Sequence, residues 1–231
     1  MFSQWNFALI AVAVSGILTS DHTVSLDAWQ STLLDHFYSG ITESGLAAYS
    51  QDQWCDYCEW KGLSCNGGRL SSVFYEKEKH GNYNVHSLPP SVISICISQC
   101  QQTYRLYTRA LPRALQRCHL STNQLFGCVD LRTLPGNLLN LDISFNRLNG
   151  PIDLTSLPRG LQHLWMHKNA IQQSVVFYGD LPPSIFVIKL VGDTYMGKDN
   201  QIGELRALHP RDPVNDSTIF ESFPPKHICS A

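Results

Sequence analysis

One frame recurs along this chain and dictates most of what it can fold into. Aligned on a Leu-Pro pair, the sequence reads LPPSVISICISQC from Leu88, LPRALQRCHLSTN from Leu111, LPGNLLNLDISFN from Leu134, LPRGLQHLWMHKN from Leu157 and LPPSIFVIKLVGD from Leu181, at spacings of 23, 23, 23 and 24 residues. A weaker copy, GRLSSVFYE, places Leu70, Val73 and Tyr75 22 residues before Val92, Ile95 and Ile97. Self-similarity at a fixed period of this length is the mark of stacked supersecondary units. None of them can bury its apolar comb alone, so the units must share one continuous core.

Each position in the frame has a physical reason. The L-x-x-L-x-L core is too short for a helix and alternates at its end, as a brief strand does. In the most regular unit Leu141 and Ile143 point inward, while Asn140, Asp142 and Ser144 point out. Three residues past the last inward side chain stands an Asn (Asn123, Asn146, Asn169), whose amide can both donate to and accept from the backbone of its own turn and the neighbouring unit. Cys100 and Asp193 hold that place in the outer units. Gly127 and Gly150 let the chain turn, and Pro112, Pro135 and Pro158 close the return segment without an amide donor.

These residues resemble the leucine-rich repeat family over residues 70–193. N-x-L-x-G, as in NRLNGPI, is similar to the extracellular subclass common in plant receptors and in surface proteins of some protists. The D-L-x-x-L-P linkage at 130–135 and 153–158 is similar to repeats of kinetoplastid secreted and surface proteins. The resemblance implies an α/β fold: a horseshoe-shaped solenoid with a concave parallel sheet, an irregular or 3₁₀ convex side and an N-terminal helical disulfide cap. CEWKGLSC (58–65) fits the Cys-x-Trp-x-Gly-x-x-Cys of that cap, which implies a Cys58–Cys65 disulfide with Trp60 packed over the first strand. Read from the residues alone, Cys55, Cys58 and Cys65 are three thiols that also suit zinc, although no fourth ligand stands at a finger-like spacing.

The ends are organised differently. FALIAVAVSGIL (7–18) is an apolar run too short to span a bilayer comfortably, so residues 1–20 are expected to be a secretory signal, with no stable membrane span once it is cut. Residues 21–69 form the N-terminal cap. There Leu26, Trp29, Leu33, Leu34 and Phe37 lie at helical spacing between Ser25 as N-cap and Gly40 as a stop. Residues 70–193 hold about six repeats of 22–24 residues, and 194–231 form a degenerate C-terminal cap and a loosely ordered tail from about 210. Asn215-Asp216-Ser217 is a glycosylation sequon for a secreted chain. Cys118, at an inward comb position, and Cys100 are expected to pack as small hydrophobes.

The comb also fixes what faces out on the concave sheet. The middle position of successive strands reads Phe74, Cys96, His119, Asp142, Trp165 and Lys189, flanked among others by Arg117, His163 and His167. Trp165 with His163 and His167, beside Asp142 and Lys189, is the aromatic, partly wet kind of cluster that anchors a partner. Phe74, Arg117 and His119 complete the candidate ligand-binding face. The row Cys96, His119, Asp142 has the order of a thiol–imidazole–carboxylate triad, but a flat sheet offers neither oxyanion hole nor dry pocket.

No phosphate-loop, dinucleotide, zincin or nucleophile-elbow motif is present, and no metal or cofactor is expected. A net charge of -2 without basic runs gives no footprint for nucleic acid. The sequence therefore points to a secreted or cell-surface, non-enzymatic protein that binds a protein or glycan ligand. A self-associating surface or matrix component is the alternative, and a thiol hydrolase using Cys96, His119 and Asp142 is the remote one.

Overall fold

The computed structural model of the chain describes residues 26–50, 56–192, 199–209 and 217–229. The repeats stack as a β-solenoid. Strands Arg69–Glu76, Ser94–Ser98, Arg117–His119, Asn140–Asp142, His163–Trp165 and Val187–Lys189 pair in parallel, in sequence order, into one sheet. Leu63–Asn66 adds an antiparallel strand at the N-terminal edge. The inward residues Val73, Ile95, Cys118, Leu141, Leu164 and Ile188 fall in one register row and are all buried. Ile97, Leu120, Ile143, Met166 and Leu190 form a second buried column behind them. Each such side chain contributes roughly 1.5–3 kcal/mol by leaving water. Burial pushes the Cys118 thiol up to about 12, as suits a cysteine serving as a small apolar filler.

The asparagines run as a ladder behind the sheet. Asn146 accepts from the Leu125 N–H at 2.9 Å and donates to the carbonyls of Leu120, Ile143 and Ser144 at 3.0, 3.2 and 2.9 Å. Asn123 and Asn169 repeat the pattern one unit away on either side. Cys100 holds the outer place as expected, its thiol donating to the carbonyls of Ser98 and Tyr75. At the other end the expected Asp193 lies outside the described residues, and Asn200 takes the role instead. It accepts from the Ile171 N–H at 2.9 Å and donates to the Met166 and Leu190 carbonyls at 2.9 and 2.7 Å. The repeat thus continues past a longer excursion that breaks the 23-residue period.

On the convex side short 3₁₀ turns recur at Val85–Ser87, Thr108–Ala110 and Leu131–Thr133. Towards the C-terminus they give way to a parallel sheet of Gln172–Tyr178, Gln201–Ala207 and Ile228–Cys229. QQSVVFY and QIGELRA both alternate in burial, the period-2 signature of a strand, with Val176, Tyr178, Leu205 and Ala207 buried. The loosely ordered tail expected from about 210 is corrected over 217–229. Phe220 bridges to Ile188 and Phe223 is buried, because two aromatic anchors outweigh the polar composition around them.

At the N-terminal end the helix Leu26–Phe37 caps the sheet, with Leu34 and Phe37 fully buried. Trp29, expected on its inner face, is 47% exposed, and Gln30 turns inward instead. The Gln30 amide donates to the Gly68 carbonyl at 3.0 Å and accepts from the Leu70 N–H at 2.8 Å. It thereby satisfies strand backbone that an apolar side chain would leave unpaired. Cys58 and Cys65 form the disulfide, which spends two of the three thiols of the zinc reading, while Cys55 lies outside the described residues. Trp60 packs against Tyr38 and Tyr57 at ring separations of 5.0 and 4.6 Å. The expected signal segment and the expected glycosylation site Asn215 also lie outside the described residues.

Two outcomes check this account. Asn146→Ala leaves the Leu125 N–H unpaired and takes one of two donors from the carbonyls of Leu120, Ile143 and Ser144, and is expected to cost roughly 1–3 kcal/mol in urea unfolding. A loss below about 1 kcal/mol contradicts the ladder's role. Replacing Cys58 and Cys65 by Ser removes a short covalent loop and should cost about 2–3 kcal/mol.

Candidate functional site

The register places the expected outward residues in one row: Phe74 beside Cys96, then His119, Asp142, Trp165 and Lys189. The flanking row runs Ser94, Arg117, Asn140, His163, Val187. What the residues do within those rows divides them into three groups.

The C-terminal group converges. His163 and Trp165, two residues apart on one strand face, stack with ring centroids 5.0 Å apart and planes 18° from parallel. On the far side of His163 stands Phe186, 5.7 Å away and 68% exposed. His163 Nδ1 and Asn140 Oδ1 are 2.6 Å apart. An amide oxygen only accepts, so Nδ1 carries the proton and the ring is held in one orientation. Phe186, His163 and Trp165 together make an aromatic platform. Below it His167 meets Phe145 edge-on at 5.1 Å, and Phe145 is itself partly exposed. Lys189 is paired: its ammonium donates to the Glu221 carboxylate at 2.6 Å, so it presents an ion pair rather than a bare cation.

In the central group the carboxylate is bonded within its own turn. Asp142 accepts from the Ser144 N–H at 3.0 Å and the Ser144 hydroxyl at 2.6 Å. Ser144, expected to point out, is buried beneath it. The Cys96 thiol is pushed up by burial, the reverse of what a nucleophile needs. With the carboxylate committed to Ser144, the row Cys96, His119, Asp142 shares a register without the hydrogen-bonded geometry of a triad. The third group stands apart. Phe74 is 58% exposed at the N-terminal end, four strand steps or about 19 Å from Trp165, and Arg117 is two steps or about 10 Å from His163.

Three members of the site escape the comb. Phe186 immediately precedes its alternating stretch, and Glu221 comes from the tail. Phe145 stands just before the ladder Asn, in a place held by Gln99, Thr122 and Lys168 in the other units. All four have left-handed backbone, with φ of 56, 57, 52 and 56° for Gln99, Thr122, Phe145 and Lys168. Phe145 is the aromatic one of the four, and this repeated slot was the signal available for finding it.

Two histidines in described parts of the molecule are held neutral. His167 is lowered by burial first and by the Lys189 charge second, and its Nδ1 is buried without a hydrogen-bond partner. His86 is lowered by burial, and its Nε2 accepts from the Tyr107 N–H at 3.0 Å, a bond that protonation would remove. Both therefore take up a proton more readily in the unfolded chain. Their stabilisation is present above the ordinary histidine pKa of 6.5 and is lost as pH falls below it. Replacing both by Gln is expected to flatten the fall in unfolding free energy between pH 6.5 and about 5. An unchanged slope in urea melts across that range contradicts the assignment.

Among solved structures the chain is similar to that of a pollen receptor kinase 3. The match has a TM-score of 0.53 and 20% sequence identity, and covers 80% of this chain and 98% of that one. At that identity the likeness is one of fold alone. No family model and no curated protein matches the sequence.

Proposed function

We propose that the chain is a non-enzymatic recognition protein, secreted or displayed at the cell surface, that binds a protein or glycan partner on its concave face. The observation that carries this reading is the platform of Phe186, His163 and Trp165. Packing demands on the sheet are met by the inward columns, which leaves no scaffold role for a phenylalanine that is 68% exposed. Large amphipathic rings fixed by stacking and by one hydrogen bond lose little entropy on contact, the property of binding anchors. His167, Phe145 and the Lys189–Glu221 pair border the platform as a mixed rim, with Asp142, His119 and Arg117 further along the sheet. Phe74 lies outside the reach of the platform and is assigned at most a peripheral contact.

Delivery outside the cell is supported by the apolar run at 7–18 and by the Cys58–Cys65 disulfide, a bond favoured in oxidising compartments. The likeness to a receptor kinase fold agrees with recognition as the role. The self-associating alternative draws no support from the C-terminal end, where Phe220 bridges to Ile188 of the last concave strand.

The test is parallel affinity capture from the producing organism's cell-surface and secreted fractions, with the wild-type chain and a Trp165→Ala/Phe186→Ala variant as baits. A partner retained by the wild type should bind the variant at least about tenfold more weakly. Phe74→Ala should retain it. Equal retention by both baits contradicts this placement of the site.

A further inference from the structure

The 23-residue period superposes side chains on the flank of the solenoid as well as on its sheet, and there it gathers positive charge that the linear sequence scatters. Where the chain leaves each 3₁₀ turn and returns towards a Leu-Pro pair, a cavity of about 330 Å³ is bordered by Arg109, Arg113 and Arg132. Thr108 and Thr133 line it too, their hydroxyls 2.6 Å apart, and Thr108 also donates to the Asp130 carbonyl at 2.8 Å. These bonds tie two successive units together, so the spacing of the arginines is set by the scaffold.

Arg109 and Arg132 are equivalent positions of adjacent units, but their partners differ. Arg132 lies on its own turn's capping carboxylate: Asp130 Oδ1 accepts from its Nε at 2.9 Å and Oδ2 from its Nη2 at 3.3 Å. One unit earlier Tyr107 stands where Asp130 stands and caps nothing, so Arg109 has no carboxylate on its turn. Among the described residues neither Arg109 nor Arg113 forms an ion pair. Three arginines thus line a single concavity in a chain whose net charge is negative, and the nearest carboxylates, Asp130 acting on Arg132 and Arg109 and Asp153 acting on Arg132, stand outside its wall. Planar guanidinium forks match the oxygens of a tetrahedral oxyanion, and one bound there relieves the repulsion among the cations.

The geometry points to an oxyanion-binding pocket on this flank, taking a sulfate or phosphate group through Arg109 and Arg113, with Arg132 as a third, pre-oriented donor. The group arrives either as the free ion or as an ester on a larger molecule.

Isothermal titration of the whole chain with sodium sulfate, sodium phosphate and glucose 6-sulfate at constant ionic strength, against sodium chloride, tests this. Saturable binding of an oxyanion but not of chloride is expected. Tighter binding of the sugar ester assigns the pocket to an ester-bearing ligand, and tighter binding of the free ions assigns it to inorganic anion. Arg109→Ala/Arg113→Ala should weaken binding at least about tenfold, and Arg113→Lys, which keeps the charge but not the fork, by a few-fold. The double variant should melt like the wild type in anion-free buffer, and only the wild type should be stabilised by sulfate. No saturation beyond chloride, or undiminished binding by the double variant, overturns the proposal.

Discussion

The side-chain amide of one asparagine per unit is the interaction on which the rest of this molecule depends. Leaving the sheet after each short strand exposes carbonyls and N–H groups in the interior, where an unpaired polar group costs about 1–3 kcal/mol. Asn123, Asn146, Asn169 and Asn200 each answer that need by joining their own turn to the unit before. The ladder also holds the residues before Asn123, Asn146 and Asn169 in the left-handed region, which a side chain other than glycine enters only against steric resistance. Apolar burial supplies most of the stabilisation, but the ladder decides the register in which that burial occurs.

Register in turn builds the surface. Because the units superpose without slipping, residues distant in sequence become neighbours about 4.8 Å apart. Asn140 orients His163, His163 stacks on Trp165, and Phe186 closes the far side. The left-handed turn at Phe145 projects its ring against His167. The same superposition on the flank sets Arg109 over Arg132, one unit having an acidic cap and the other a tyrosine.

Much of this was legible in the residues. The Leu-Pro frame carried the strands, their inward columns and the outward row, since a period-2 strand repeated every 23 residues admits one register. The disulfide followed from the likeness of CEWKGLSC to a known cap. What escaped reading was whatever broke the period. Asn200 sits beyond an excursion that shifts the frame, so Asp193 was the nearest residue at the expected offset. Phe220 and Phe223 lie in a polar, proline-rich stretch whose average hides two anchors. Phe186 and Glu221 reach the site from outside the alternation. Gln30 replaces Trp29 on the helix's inner face because the turn into the strand Arg69–Glu76 needs hydrogen bonds more than apolar cover.

The proposed recognition surface is the C-terminal half of the ladder-held sheet with its fixed aromatic rings, and contact at those rings can be observed directly. A photo-crosslinking phenylalanine analogue placed at position 165, and in a separate variant at the exposed convex Phe177, can be irradiated in the producing organism's surface and secreted fractions. The account predicts a discrete adduct from position 165 and none from 177. Adducts from 177 alone, or equally from both, would contradict it.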